Sequence, residues 1–150
     1  MPEIGEKAPD FTAMSDAGEE VSLSSLRGKK VVLYFYPRDD TPGCTTEACD
    51  FRDRAEALAA KDAVVLGVST DSVASHEKFK AKHALPFTLL ADPSKELVNA
   101  YGVYQEKKQY GRSYMGTVRT TFIIDPDGTI TNVFDRVRVN GHAAAVLASL

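Results

Sequence analysis

The stretch VVLYFYPRDDTPGCTTEAC, from Val31 to Cys49, contains the transition from which the rest of the chain can be understood. Its first residues, Val31 to Tyr36, are β-branched, aliphatic or aromatic, a composition that predicts a strand buried on both faces of a sheet. Pro37 ends this strand, because proline has no backbone N–H to donate. Thr41 and Pro42 predict the start of a helix, since threonine is a common N-cap and proline fits the first helical position.

The only two cysteines, Cys44 and Cys49, lie at the beginning of this predicted helix. If Thr41 is the N-cap, Cys44 is the third helical residue, where free backbone amides and the macrodipole favour a thiolate. Arg38 and Arg119 are candidate cations beside it, although Arg38 fits a surface position better. Because oxidation follows thiolate character, the pattern predicts a redox site in which Cys44 is oxidised and Cys49 captures the product.

The spacing of the two cysteines constrains how they can react with each other. Five residues along a helix correspond to about 7.5 Å of rise and about 140° of rotation. Their Cα atoms would then lie roughly 8–9 Å apart, which is beyond the range of a disulfide. We therefore expect the first turns of the helix to unwind when Cys44 and Cys49 form a disulfide.

Length and composition limit the classes of protein to which the chain can belong. With 150 residues and 43% apolar side chains, it can form one ordinary domain with a substantial core. The net charge of −3 and the absence of a basic stretch argue against nucleic-acid binding. No apolar leader or membrane span is visible, so a cytoplasmic location is expected. In that reducing compartment a close cysteine pair is more often catalytic than structural.

The remaining sequence alternates predicted strands and helices. Further strands are predicted at 21–23, 63–69, 87–90, 120–124 and 129–134, and helices at 72–83, 94–101 and 141–150. The segment from about 103 to 118 is polar and contains glycine and tyrosine, which predicts an exposed loop. This order of elements predicts one α/β domain spanning residues 1–150, with three layers and a central mixed sheet flanked by helices.

At this point the sequence resembles a known family. Pro37-x-x-x-Thr41-x-x-Cys44 matches the active-site pattern of the peroxiredoxins, and the run from Pro42 to Asp53 is similar to their bacterioferritin comigratory protein, or peroxiredoxin Q, branch. The resemblance covers nearly the whole chain. It continues at 4–11, 67–69, 89–92, 100–103 and 119–128.

The resemblance implies a thioredoxin-like fold and the thiol-dependent reduction of hydroperoxides. It implies no bound cofactor or metal, a dithiol donor such as thioredoxin, and a monomer. By matching position, the residue roles it implies are peroxidatic Cys44, resolving Cys49, a hydrogen-bonding Thr41, a shielding Pro37, an Arg119 that supports thiolate and peroxide, and a Glu47 in the outer hydrogen-bond network.

Elementary chemistry agrees with this set of residues. Attack of a thiolate on a peroxide oxygen leaves negative charge on the departing oxygen, and preorganised donors lower that barrier. Arg119, Thr41 and the backbone amides near Gly43 and Cys44 could supply these donors and bind the substrate. Gly43 would leave room for the substrate to approach.

Less specific interpretations exist for each residue. Buried cysteines are often inert, and Cys49 could serve packing alone. Thr41 could be only a helix cap, Glu47 a first-turn acid and Arg119 a surface charge. The three histidines stand apart in sequence and lack zinc-site spacing, so no metal site is expected. Tyr110 and Tyr114 could line the pocket, but an exposed loop is the simpler expectation.

Two other functions fit a cysteine pair on this fold. The first is a thioredoxin-type disulfide oxidoreductase, although the chain lacks C-x-x-C and carries Thr120 where thioredoxins place a proline before the strand facing the thiols. The second is a redox switch or thiol chaperone, in which unwinding exposes a binding surface. The helix-start position of Cys44 and the long motif favour the peroxidase.

Overall fold

The structure, a computed structural model that describes all 150 residues, contains a central mixed sheet of seven strands and a separate two-stranded hairpin. The strands are β1 (Thr12–Ser15), β2 (Glu20–Ser22), β3 (Lys30–Phe35), β4 (Ala63–Ser69), β5 (Thr88–Ala91), β6 (Tyr104–Gln109), β7 (Arg112–Thr117), β8 (Thr120–Ile124) and β9 (Ile130–Phe134). The central sheet has the order β2-β1-β5-β4-β3-β8-β9. Its middle strands β3, β4 and β5 are parallel, and the flanking strands pair antiparallel.

Helices cover both faces of this sheet. They are α1 (Pro42–Asp53), α2 (Ala55–Ala60), α3 (Val73–His83), α4 (Glu96–Ala100) and α5 (His142–Ala148), with a short 3-10 helix at Leu23–Leu26. One core cluster contains the apolar side chains of α4, and the other contains those of α1, α2, α3 and α5. The predicted three-layer α/β fold is therefore confirmed. No helix combines the length and apolar composition needed to cross a membrane.

Strand β3 connects the two cores, as its composition predicts. Side chains alternate between the faces of a strand, so Leu33 and Phe35 enter the core beside α4, and Tyr34 and Tyr36 enter the core beside α1. All four are essentially inaccessible to solvent. This double burial holds the end of β3 in place, and the loop to α1 starts from there.

Several predicted elements differ in detail. The strand β1 is absent from the predictions, because its four residues carry no apolar alternation. The helix that follows Thr41 is interrupted at Arg54, whose φ of −111° and ψ of 14° separate α1 from α2. Helix α4 is shorter than the predicted 94–101. The hairpin of β8 and β9 confirms the turn predicted at 125–128.

The prediction of an exposed loop from about 103 to 118 is wrong. This segment forms the antiparallel hairpin of β6 and β7, in which Tyr104 pairs with Thr117 and Gln109 with Arg112. Its two turn residues, Tyr110 and Gly111, both have positive φ, as a tight two-residue hairpin turn requires. Both faces of the hairpin are largely exposed, so the sequence lacks the apolar alternation that reveals a half-buried strand.

Candidate active site

The register of the sheet brings distant residues together at one edge. Phe35, the last residue of β3, pairs with Thr120, the first residue of β8. Arg119 therefore lies where β3 ends and the loop to α1 begins. Sites in α/β proteins commonly form at this carboxyl edge of the parallel strands.

Helix α1 begins as the sequence predicts. Thr41 has extended backbone angles, Pro42 is the first helical residue and Cys44 the third. The amide of Thr45 donates to the carbonyl of Thr41 at 2.8 Å, whereas the amides of Gly43 and Cys44 have no backbone acceptor. These free N–H groups surround the buried Cys44 sulfur with positive potential, because the thiol sits in the first helical turn.

The side chain of Thr41 does not cap the helix. Its hydroxyl instead donates to the carbonyl of Arg38 at 3.0 Å, so the interpretation of Thr41 as a simple side-chain cap is wrong. The oxygen keeps its lone pairs available as acceptors. Pro37 and Thr41 are partly exposed, while Arg38 is exposed and contacts Cys44 through no hydrogen bond.

Arg119 joins the thiol to a buried carboxylate. Its Nη2 lies 3.3 Å from the Sγ of Cys44, and its Nη1 donates to the Oε1 of Glu47 at 2.7 Å. The Arg119 side chain is 16% exposed and that of Glu47 is 0% exposed, so this ion pair is shielded from solvent. Glu47 therefore fixes the guanidinium in the orientation that faces Cys44.

Gly43 makes room for this arginine. A Cβ atom at position 43 would lie 3.2 Å from the Nη2 of Arg119, closer than ordinary van der Waals contact. The absence of a side chain thus lets the guanidinium approach the helix N-terminus. The sequence-based interpretation assigned this space to the substrate, and in the structure Arg119 occupies part of it.

Glu47 and His142 form a buried polar layer behind the arginine. Glu47 is the sixth residue of α1, so the alternative interpretation as a first-turn acid is wrong. Burial raises the pKa of Glu47 to about 7, although Arg119 opposes the rise. The Nε2 of His142 lies 3.9 Å from the Oε2 of Glu47 and 2.8 Å from the hydroxyl of Thr121. Burial, together with Arg119, lowers the pKa of His142 to about 4, which keeps this ring neutral.

The histidines are therefore not isolated in the structure, although their sequence positions suggest that they are. His142 contacts the Glu47 layer, and His76 belongs to a second buried network around Asp39. Neither contact has a local sequence signal, because each partner lies at least 21 residues away along the chain. Asp39, Asp71 and His76 bring potential metal ligands close together. Both ring nitrogens of His76 are already hydrogen-bonded, so this geometry favours a hydrogen-bond network over a metal site.

Cys49 lies about 1.4 turns beyond Cys44 in the continuous helix α1. Both cysteines are free thiols; Cys44 is buried and Cys49 is partly exposed. With the helix intact through Asp53, the geometric obstacle to a disulfide described above applies to this state.

Lys107 is a residue near the site that sequence reasoning missed. It projects from β6, and its ammonium donates to the carbonyl of Thr117 at 2.7 Å. Burial and Arg119 lower the pKa of Lys107, whereas Cys44 raises it, which places this charge within electrostatic reach of the thiol. Together with Arg119 and Arg136, it lines a groove of about 470 Å³. Tyr114 lines the same groove, while Tyr110 is almost fully exposed at the hairpin tip.

Comparison with known proteins identifies this arrangement. Residues 4–133 match the AhpC/TSA family. The chain belongs to that family. It is 53% identical over 148 residues to a putative peroxiredoxin Bcp of Coxiella burnetii, covering 99% of this chain and 98% of the relative. It is also 53% identical to peroxiredoxin Bcp of Bacillus subtilis, covering 99% and 94%.

Solved structures of the same branch share the fold. The bacterioferritin comigratory protein of Xanthomonas campestris, studied for alkyl peroxide reduction, superposes with a TM-score of 0.89 at 40% identity, covering 93% of this chain and 88% of the other. A Cys-to-Ser mutant of Xylella fastidiosa PrxQ gives a TM-score of 0.92 at 37% identity, covering 97% and 93%. The chain is thus a thiol-dependent peroxiredoxin of the Bcp/PrxQ type, and the thioredoxin-like fold implied by the sequence resemblance is confirmed.

Proposed function

We propose that this peroxiredoxin reduces hydroperoxides by oxidation of Cys44, followed by a disulfide between Cys44 and Cys49. The observation that carries the proposal is the position of Cys44. Its sulfur is buried at a helix N-terminus and lies 3.3 Å from the guanidinium of Arg119, which Glu47 holds in place. This environment favours a thiolate, and it supplies donors for the negative charge that develops on the departing oxygen.

In the first step the Cys44 thiolate attacks the terminal oxygen of the hydroperoxide and the O–O bond breaks. The sulfur becomes a sulfenic acid, and the departing alkoxide or hydroxide takes up a proton to leave as alcohol or water. Arg119 and the free amides of Gly43 and Cys44 stabilise the charge that develops on the departing oxygen. Thr41 orients the peroxide through its hydroxyl oxygen, and Pro37 shields the site.

In the second step the thiol of Cys49 attacks the sulfenic sulfur, forming the disulfide and releasing water. A dithiol protein of the thioredoxin type then reduces this disulfide by thiol–disulfide exchange and is itself oxidised. Neither step requires a metal or an organic cofactor. A cytoplasmic location fits this cycle, because reducing systems there maintain the dithiol donor.

Burial argues against a thioredoxin-type activity on protein disulfides. In the reduced state only 1% of Cys44 is exposed, which admits a small hydroperoxide more readily than a folded protein substrate. Cys49 is more accessible, and this agrees with its assignment as the thiol that meets a second protein after oxidation.

The test is peroxide consumption by the wild type, Cys44→Ser and Cys49→Ser, with thioredoxin, its reductase and NADPH as the donor system. We expect Cys44→Ser to lose fast turnover. Cys49→Ser should form one equivalent of sulfenic acid, detectable by dimedone labelling, and then fail to react with thioredoxin. Equal activity in all three proteins, or reduction of insulin disulfides by a wild type that consumes no peroxide, would overturn the proposal.

A further inference from the structure

A buried hydrogen-bond network fastens the loop between β3 and α1 to α3 and to strand β5. Asp39 of this loop receives the hydroxyl of Tyr36 at 2.5 Å on one carboxylate oxygen. Its other oxygen lies 2.8 Å from the hydroxyl of Ser75 and 2.7 Å from the Nδ1 of His76. The side chains of Asp39 and His76 are 4% and 0% exposed. We call these four residues the loop anchor.

The geometry of the loop anchor determines where its protons lie. The Nε2 of His76 faces the carbonyl of Leu90 at 2.9 Å, and a carbonyl can only accept, so Nε2 carries a proton. Nδ1 faces an oxygen that already receives Ser75, so a further proton lies between His76 and Asp39. Hydrogen bonds thus converge on both oxygens of Asp39, and the shared proton joins Asp39 to His76 whichever of the two atoms carries it.

The backbone of the loop is held at the same position. The amide of Asp39 donates to the carboxylate of Asp71 at 2.8 Å, and Asp71 is itself fixed by the hydroxyl of Ser69 at 2.6 Å. The next residue, Asp40, has a φ of 57°, in the left-handed region that non-glycine residues seldom adopt. Thr41, the N-cap residue of α1, follows at once. A strained residue thus links the fixed position 39 directly to the helix that carries Cys44.

We propose that the loop anchor is a positioning device for the peroxidatic thiol, an inference that rests on the function proposed above. By holding residue 39 against α3 and β5, the loop anchor fixes the direction in which Thr41 and the first turn of α1 leave the loop. That direction sets the distance between the sulfur of Cys44 and the guanidinium of Arg119. When α1 unwinds for disulfide formation, the anchor stays intact and marks the N-terminal limit of the segment that moves.

The decisive comparison is between the double variant Asp39→Ala/His76→Leu and the control Lys82→Ala. The double variant removes both partners of the buried contact, so neither is left without the other. Lys82 contacts Asp40 of the same loop at 2.9 Å, but on the exposed surface. We expect the double variant to lose about tenfold or more in the rate constant for oxidation of Cys44 by hydrogen peroxide. We expect Lys82→Ala to stay within about twofold of wild type.

Two further readouts separate positioning from general destabilisation. Hydrogen exchange of the folded double variant should accelerate at residues 38–46 and stay unchanged in β4 and β8. In the wild type, NMR should show a proton on the Nε2 of His76 that exchanges slowly with solvent, because this buried nitrogen donates to the carbonyl of Leu90, and Asp39→Asn should make the exchange faster. The NMR readout needs no double variant, so it tests the anchor even if that variant does not fold.

The outcomes are distinguishable. Wild-type rates of Cys44 oxidation in a folded double variant, exchange that accelerates uniformly through the chain, or rapid exchange of the His76 ring proton in the wild type would each overturn the anchor. A wild type without peroxidase activity would instead refute the proposed function. In that event the NMR and exchange results would still report whether the loop is held in this way.

Discussion

At the scale of single residues, Arg119 carries the most demanding geometry in the site. One guanidinium nitrogen faces the sulfur of Cys44 while another pairs with Glu47, and a lysine has only a single point of charge to satisfy both. We expect Arg119→Lys to lower the rate constant for Cys44 oxidation by about 10²–10³-fold, the usual cost of losing a preorganised donor. Competition with a peroxidase of known rate for limiting hydrogen peroxide measures this constant.

The control for Arg119 is Arg138→Ala. Arg138 is exposed and makes no hydrogen bond or ion pair, so its loss should leave the rate unchanged. An Arg119→Lys variant that keeps the wild-type rate to within about threefold would show that charge alone, without the two-point geometry, is sufficient.

Glu47 makes stability depend on pH in a defined direction. Its pKa is raised from 4.5 to about 7 by burial, so between these values the folded state holds a proton that the unfolded state has lost. The contribution of Glu47 is therefore fully present below about pH 4.5 and is lost as pH rises towards 7. The size is on the order of 2–3 kcal/mol. His142, with its lowered pKa, acts in the opposite direction, because its unfolded state binds the extra proton.

Urea unfolding of Cys44→Ser and Cys44→Ser/Glu47→Gln at pH 5 and pH 7.5 isolates this effect. The serine background removes thiol chemistry, and His142 is present in both proteins. From pH 5 to 7.5 the free energy of unfolding should fall more in the protein that retains Glu47. Parallel changes in the two proteins would show that Glu47 titrates in the native state as it does in the unfolded chain.

At the scale of elements, α1 has to be stable enough to hold Cys44 and labile enough to release it. Its C-terminal part is held by Phe51, which is fully buried and stacks on Tyr34 with ring centroids 4.8 Å apart. Its N-terminal part is held by Cys44 and Ala48, whose small side chains contribute less apolar area. We therefore expect unwinding on disulfide formation to begin near Thr41 and to stop before Phe51.

Hydrogen exchange of the reduced and disulfide forms tests this expectation. Protection at residues 45–49 should disappear on oxidation, whereas protection from Phe51 onward should remain. Cys49→Ser oxidised to the sulfenic acid is the control, and it should keep the helix. Superposable backbones through residues 41–52 in the reduced and disulfide forms would contradict the prediction.

The hairpin of β6 and β7 offers a matched pair of lysines. Lys107 is partly buried beside Arg119, and its neighbour Lys108 is exposed. Since a nearby positive charge favours the thiolate and attracts anions, Lys107→Gln should slow Cys44 oxidation by about 3- to 10-fold. Lys108→Gln should change it by less than about twofold, as expected for a screened surface charge. Equal effects of the two substitutions would place Lys107 outside the site.

The contrast between α1 and this hairpin explains what the sequence can reveal. Three signals are local in the sequence: proline at the first helical position, buried residues at helical spacing, and the apolar runs of β3 and β4. They locate Cys44 and the end of β3 correctly. Arg119 is one of two candidate cations, and the resemblance assigns it the role at the thiolate. No local sequence pattern predicts Lys107, His142 or the contact of Asp39 with His76, because these depend on strand register and helix packing. The hairpin itself is not predicted from the sequence, because both of its faces are exposed to solvent and its strands lack apolar alternation.

At the scale of the whole molecule, only one of the two cores contains residues of α1, the helix that we expect to unwind. The core beside α4 contains no residue of α1, whereas the core beside α5 contains Cys44, Ala48 and Phe51. Remodelling of the α1 N-terminus therefore disturbs one face of the sheet only. We expect the shared strand β3, which is buried from Val31 to Phe35 between the cores, to keep the carboxyl edge of the sheet fixed when α1 rearranges.

The distribution of exposed apolar side chains bears on whether the protein associates with itself. The exposed large apolar side chains are scattered among the chain start, β1 and the hairpin of β6 and β7: Met1, Ile4, Met14, Tyr110, Tyr114 and Met115. A stable interface buries about 800 Å² on each partner, which single scattered side chains do not supply. We therefore expect sedimentation equilibrium of the reduced protein to give the monomer mass of 16.3 kDa. Because oxidation bares apolar surface under α1, any dimer should appear only in the disulfide form and disappear with dithiothreitol; a reduced protein at twice the monomer mass would contradict this view.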